Sequence, residues 1–160
     1  MAIVCLFAPI PAYAQEQSIV TNVLTGVAID GYDPVSYFTG PEPRRGSPQY
    51  VHEWAGIPWY FASAANRDVF ARAPEIYAPL FGGHGAMAMS RGYLSDGNPQ
   101  IYRIVGDRLL LFFSVGNREA FDLAGPAALA QALDNWERLP PARGAAPFVP
   151  PAGAADAMAE

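Results

Sequence analysis

A chain of 160 residues that is 51% hydrophobic and 16% charged holds enough apolar material for one core and too much for a disordered polymer. Its net charge of −5 argues against a nucleic-acid binder and against a polybasic membrane-surface protein, both of which need a basic patch. All ten cations are arginine and there is one cysteine, so a Schiff-base lysine, a P-loop lysine and a cysteine-rich zinc site are excluded.

Residues 1–14, MAIVCLFAPIPAYA, pair an uncharged apolar run with the A-x-A pattern Ala12-Tyr13-Ala14. This predicts a secretory signal peptide and a periplasmic or secreted location, although no basic residue precedes the run. Cleavage after Ala14 removes Cys5, so the mature chain is expected to have neither disulfide nor thiolate chemistry. Residues 15–25 are polar and read as a linker or first strand. The folded domain is expected over 26–139. Residues 140–160 are dominated by Pro, Ala and Gly and read as an extended, disordered tail, with Phe148-Val149 as a candidate docking point for a partner.

Between these ends the chain repeats itself. Tyr50–Phe70 and Ile101–Phe121 align at one fixed spacing, matching Phe61, Ser63, Asn66, Arg67 and Phe70 with Phe112, Ser114, Asn117, Arg118 and Phe121. Each copy reads as a strand, a turn (Ala55-Gly56 or Gly106-Asp107), a second strand, a polar cap and a helix. Fixed-period similarity of this kind indicates duplication. Ser63 is the expected N-cap of the first helix, with Asn66 and Asp68 near its positive end, and Ser114 or Asn117 that of the second. Arg67 and Arg118 are expected to bond neighbouring carboxylates or carbonyls. Pro74–Tyr77 reads as a proline-opened helical turn. Gly125 is expected to end the second repeat helix and Pro126 to open a last one, where Leu129, Leu133 and Trp136 form an apolar stripe. The fold class is therefore α+β: one small domain whose two related β-hairpin–helix units form an antiparallel sheet packed by helices.

Several strings resemble exported YHS-domain proteins. They are Gly31-Tyr32-Asp33-Pro34-Val35-Ser36-Tyr37-Phe38, then Trp59-Tyr60-Phe61 with Ser63, Asn66, Arg67 and Phe70, then Pro74, Tyr77, Pro79, Phe81, Gly82 and Gly83, and finally Asn135-Trp136. The resemblance spans about Val27–Leu139. It implies a small α+β domain often described as metal-associated, without a defined reaction. The family pattern continues G-G-Y-C-A-Y, whereas this chain reads Gly82-Gly83-His84-Gly85-Ala86-Met87. Gly85 stands where the cysteine is usual, so a thiolate metal role does not carry over.

In the segment Gly82–Gly92, His84, Met87 and Met89 supply imidazole and thioether donors, a set that suits a copper ion and Cu(I) above all. The competing reading is packing, since methionine commonly fills core gaps. On a helix His84 and Met87 share a face and Met89 turns away; on a strand the two methionines share a face and His84 points opposite. His52 lacks a second histidine four residues on and reads as a strand residue. Asp33 before Pro34 reads as a turn former.

No G-x-G-x-x-G, P-loop or nucleophile elbow occurs, and no spacing singles out a triad, so no enzyme is expected. Two functions stand. One is an exported YHS-like binding module for a metal ion or small ligand, using the Gly82–Gly92 loop and the aromatics Tyr32, Tyr37 and Tyr77, or a concavity between the two halves. The other is a non-catalytic interaction or accessory subunit of a larger cell-envelope complex, drawing on the 12% aromatic content.

Overall fold

The computed structural model describes residues 19–139. The expected signal peptide, residues 15–18 of the expected linker, and the expected tail lie outside the described residues.

Alternating apolar residues and two-residue turns produce two hairpins. The first joins β1 (Ser47–Trp54) to β2 (Ile57–Phe61), and the second joins β3 (Asn98–Val105) to β4 (Arg108–Phe112). Both central residues of each turn are left-handed, with φ of 53° and 72° at Ala55-Gly56 and 54° and 61° at Gly106-Asp107. Such turns match the twist of the strands they join. Each hairpin is its own two-stranded antiparallel sheet.

A helix follows each hairpin: α2 (Ala64–Arg72) after β2 and α5 (Val115–Ala124) after β4. The Ser63 hydroxyl accepts from the Asn66 N–H at 3.1 Å, and the Ser114 hydroxyl from the Asn117 N–H at 3.2 Å. Of the two caps expected for the second helix, Ser114 is the one used. Each match of strand, turn, cap and helix falls 51 residues apart, and both hairpins break register at the same place, after Ser47 and after Asn98.

The duplication runs further upstream than the sequence comparison indicated. A 3-10 turn, Ile29–Gly31, and a short helix α1 (Ser36–Thr39) precede the first hairpin. A 3-10 turn, Leu80–Gly83, and α4 (Ala86–Ser90) precede the second. The proline-opened turn, α3 (Pro74–Tyr77), links the units. In each unit the turn is pinned to the hairpin entrance: Gly46 N–H donates to Gly31 O at 2.8 Å, and Gly97 N–H to Gly83 O at 3.0 Å. Glycine is required at both entrances. A Cβ on Gly46 would meet the Tyr60 carbonyl carbon at 2.4 Å, and one on Gly97 would meet Gly83 O at 2.5 Å.

Burial then couples the units. In β2, Trp59 and Phe61 face inward, while Pro58 and Tyr60 are only half-buried. In β4, Leu109, Leu110, Leu111 and Phe112 are all inaccessible to solvent. Leu109 and Leu111 enter a first core with Ile29, Tyr37, Trp59, Phe61 and Phe70. Leu110 and Phe112 enter a second core with Phe81, Met89 and Phe121. The continuous apolar run in β4 is the mark of a strand covered on both faces.

The helix α6 (Pro126–Arg138) closes the second core. Its expected stripe is rotated. Ala128 and Ala132 are the buried residues, Leu129 and Trp136 flank them, and Leu133 is 41% exposed. Small side chains on the contact line let α6 lie close to α4. Of the expected linker, Ile19–Thr25 belongs to the fold. Ile19 packs on the first core, Val20 N–H donates to Gly82 O at 2.8 Å, and Thr21 bridges Ala28.

Candidate functional site

The predicted ligands take separate positions. His84 is extended, 5% exposed, and paired through its backbone with Asp96. Its Nδ1 lies 3.5 Å from Asp96 Oδ1 and its ring centroid 6.3 Å from that of Trp136. Met87 and Met89 both lie on α4, where residues two apart diverge by about 200° around the axis. Met89 is sealed in the second core, and Met87 is half-buried with its sulfur 3.6 Å from the Ser90 hydroxyl. Among the described residues no three His, Cys, Asp or Glu side chains converge to hold a metal ion.

His84 has a structural counterpart in the first unit. Tyr32 forms a bridge with Arg45, as His84 does with Asp96. Asp33 N–H donates to Arg44 O at 2.8 Å, as Gly85 N–H donates to Ser95 O at 2.7 Å. Each unit therefore presents a ring and a charged partner at the same backbone position. In the first the partner is cationic, with Arg45 Cζ lying 4.6 Å from the Tyr32 ring centre. In the second it is the Asp96 carboxylate.

Three of these four residues, Tyr32, Arg45 and Asp96, line an open cleft of about 450 Å³ where the units meet. This size lies within the ~300–1,000 Å³ common for ligand sites. Val20, Ile29 and Pro99 give it apolar walls. Asn22, Asp30, Asn98 and Gln100 give it polar groups. The ring of Phe113, 62% exposed, completes it.

Strained backbone forms one wall. Ile29 and Asp30 have φ of 42° and 54°. Left-handed backbone at a β-branched residue is costly, roughly 1–3 kcal/mol, and persists only where surrounding contacts hold it. Here Ile29 N–H donates to Val20 O at 2.9 Å. Asp30 is held on two sides, by Asn22 Nδ2 at 2.6 Å and by Arg45 Nη2 at 3.2 Å, while Arg45 Nη1 donates to the Asp30 carbonyl at 2.8 Å. The corresponding turn of the second unit puts glycine at two of its three left-handed positions, Phe81, Gly82 and Gly83.

The remaining candidates are structural. Asp33 is wholly buried. Its Oδ1 accepts from the Val35 and Ser36 N–H groups at 2.8 and 3.3 Å, as a turn former should. Its Oδ2 also accepts from Ala62 N–H at 2.8 Å and Asn66 Nδ2 at 2.6 Å, clamping α1 to the start of α2. Arg67 bonds Asp68 at 2.9 Å, as expected. Arg118 makes no ion pair among the described residues, and its Nε is buried without a hydrogen-bond partner. His52 is half-buried on β1 with its ring 6.2 Å from that of Phe70. Tyr37 is buried and donates to Pro99 O at 2.7 Å, and Tyr77 packs edge-on against Phe38.

The cleft leaves little trace in the sequence because its residues lie far apart in the chain and form no motif. One signal was present: Gly46-Ser47-Pro48-Gln49 and Gly97-Asn98-Pro99-Gln100 are a further repeated string, and the second copy lines the cleft. No family model, no curated protein and no solved structure matches this chain.

Proposed function

We propose that this chain is a YHS-like binding module for a small ligand, exported to the periplasm or beyond, with its site in the cleft between the units and no catalytic role. The observation that carries the reading is the cleft itself: both units wall it, one wall is backbone held in a left-handed conformation, and an exposed aromatic ring completes it. The export pattern of residues 1–14 and the strings Gly31–Phe38 and Trp59–Phe70 support the localisation and the YHS-like description.

The test is a thermal-shift search with fractionated small-molecule extract of the source cells, followed by mass identification of the active fraction. A fraction that raises the melting temperature of the native protein, but not of an Asn98→Trp variant with the cleft blocked, supports the reading. The reading fails if no fraction acts, or if the blocked variant responds equally.

Copper at His84, Met87 and Met89 is a narrower form of the same idea, and it requires Met89 to leave the second core. Cu(I) titration of native protein against Met87→Ala decides it, with equal affinity rejecting that donor set. A second reading, an accessory subunit of an envelope complex, draws on the exposure of Leu123 (90%) and Val115 (47%) on α5. A native-mass measurement from source membranes that finds the chain alone rejects it.

A further inference from the structure

We propose that the cleft takes a small organic cation, a protonated amine on an apolar or aromatic body; this deepens the ligand-binding reading and rests on it. The charged side chains lining the cleft are Asp30, Arg45 and Asp96. Arg45 is already committed: two of its nitrogens bond Asp30, and its guanidinium lies over Tyr32. Asp30 and Arg45 therefore cancel each other. Asp96 remains, with a side chain 72% exposed. Its Oδ1 lies 3.5 Å from His84 Nδ1. The side chains lining the cleft thus carry two carboxylates against one guanidinium, in a chain whose net charge is −5.

The rest of the lining suits the body of such a ligand. Phe113 lines the cleft and is 62% exposed, and the negative face of an aromatic ring attracts a cation. Val20, Ile29 and Pro99 offer apolar contact, and the Asn98 and Gln100 side chains offer amide groups to a polar substituent. An anion would have to displace Asp30 from Arg45 and then lie near Asp96.

Calorimetric titration of the full chain at pH 8 with benzylammonium, benzoate and benzyl alcohol separates the possibilities. These probes share one body and differ in charge. Benzylammonium is expected to bind about tenfold more tightly than the other two, Asp96→Asn to erase most of that margin, and Phe113→Ala to weaken binding about threefold. Both substituted residues are exposed, so the variants are expected to fold, and circular dichroism checks this. Equal or tighter binding of benzoate or benzyl alcohol overturns the cation assignment, and so does an unchanged margin in Asp96→Asn. Failure of all three probes to bind also overturns it. The extract search with Asn98→Trp then decides independently whether the cleft binds anything.

Discussion

The two units share a backbone and differ in how they are fastened. In the first, the Asp33 carboxylate gathers three backbone N–H groups and the Asn66 amide, tying the proline turn to α2. The same backbone position in the second unit is Gly85. No side chain reaches from it, although the counterpart of Ala62, Phe113, presents its nitrogen 3.3 Å from where a Cβ would stand. The second unit is fastened by α6 instead. Asn135 Nδ2 donates to the carbonyls of Met89 and Ser90 at 2.8 and 3.2 Å, ending α4, and Trp136 packs edge-on against Phe81 at 5.8 Å. A duplicated scaffold thus keeps its main-chain geometry while the side chains that lock it are replaced, by a buried acid in one half and by an added helix in the other.

That contrast can be broken at several points. The largest effect is expected from Asp33→Ala, which strands buried donors in the first unit and costs about 4 kcal/mol, read by chemical denaturation. Gly46→Ala and Gly97→Ala each force a Cβ into backbone or core atoms and should cost about 3 kcal/mol apiece. A large inequality between them would show that the entrances are not equivalent.

Tyr37 tests the joint between the units, since its hydroxyl bonds Pro99 O and its ring meets Tyr102 edge-on at 4.9 Å. Burial, then the neighbouring Tyr32, Tyr102 and Asp33, raise its pKa above the ordinary tyrosine value. A raised folded-state pKa gives stability that is complete below the unfolded value, about 10, and is lost as pH climbs beyond it. The denaturation midpoint should therefore fall above that pH, and Tyr37→Phe should flatten the fall while costing about 1 kcal/mol at neutral pH. The smallest effect is expected at the caps, where Ser63→Ala and Ser114→Ala should each cost about 0.5 kcal/mol, equally.

Local physics was the legible part of the sequence. The strand, turn, cap and helix of each repeat follow from residues within a few positions of one another, and so do the proline-opened α3 and the Gly125-Pro126 junction. What stayed hidden depends on contacts far apart in the chain. The donation of Asn66 to Asp33 spans 33 residues. The upstream turns do not show as repeats in sequence because their backbones match while their side chains do not: Ile29-Asp30-Gly31 against Phe81-Gly82-Gly83. The rotation of the α6 stripe was equally hidden, because period alone cannot tell a close contact line of alanines from a looser one of leucines. The same limit held for Met87 and Met89, whose divergence depended on whether the segment coiled or extended.

The doubly covered strand β4 makes the second unit dependent on the first. Without the first unit, one side of that leucine run would face water, a surface suited to self-association. Because both units lie on one chain, this contact is intramolecular and forms at the high effective concentration set by a short tether, independent of protein concentration.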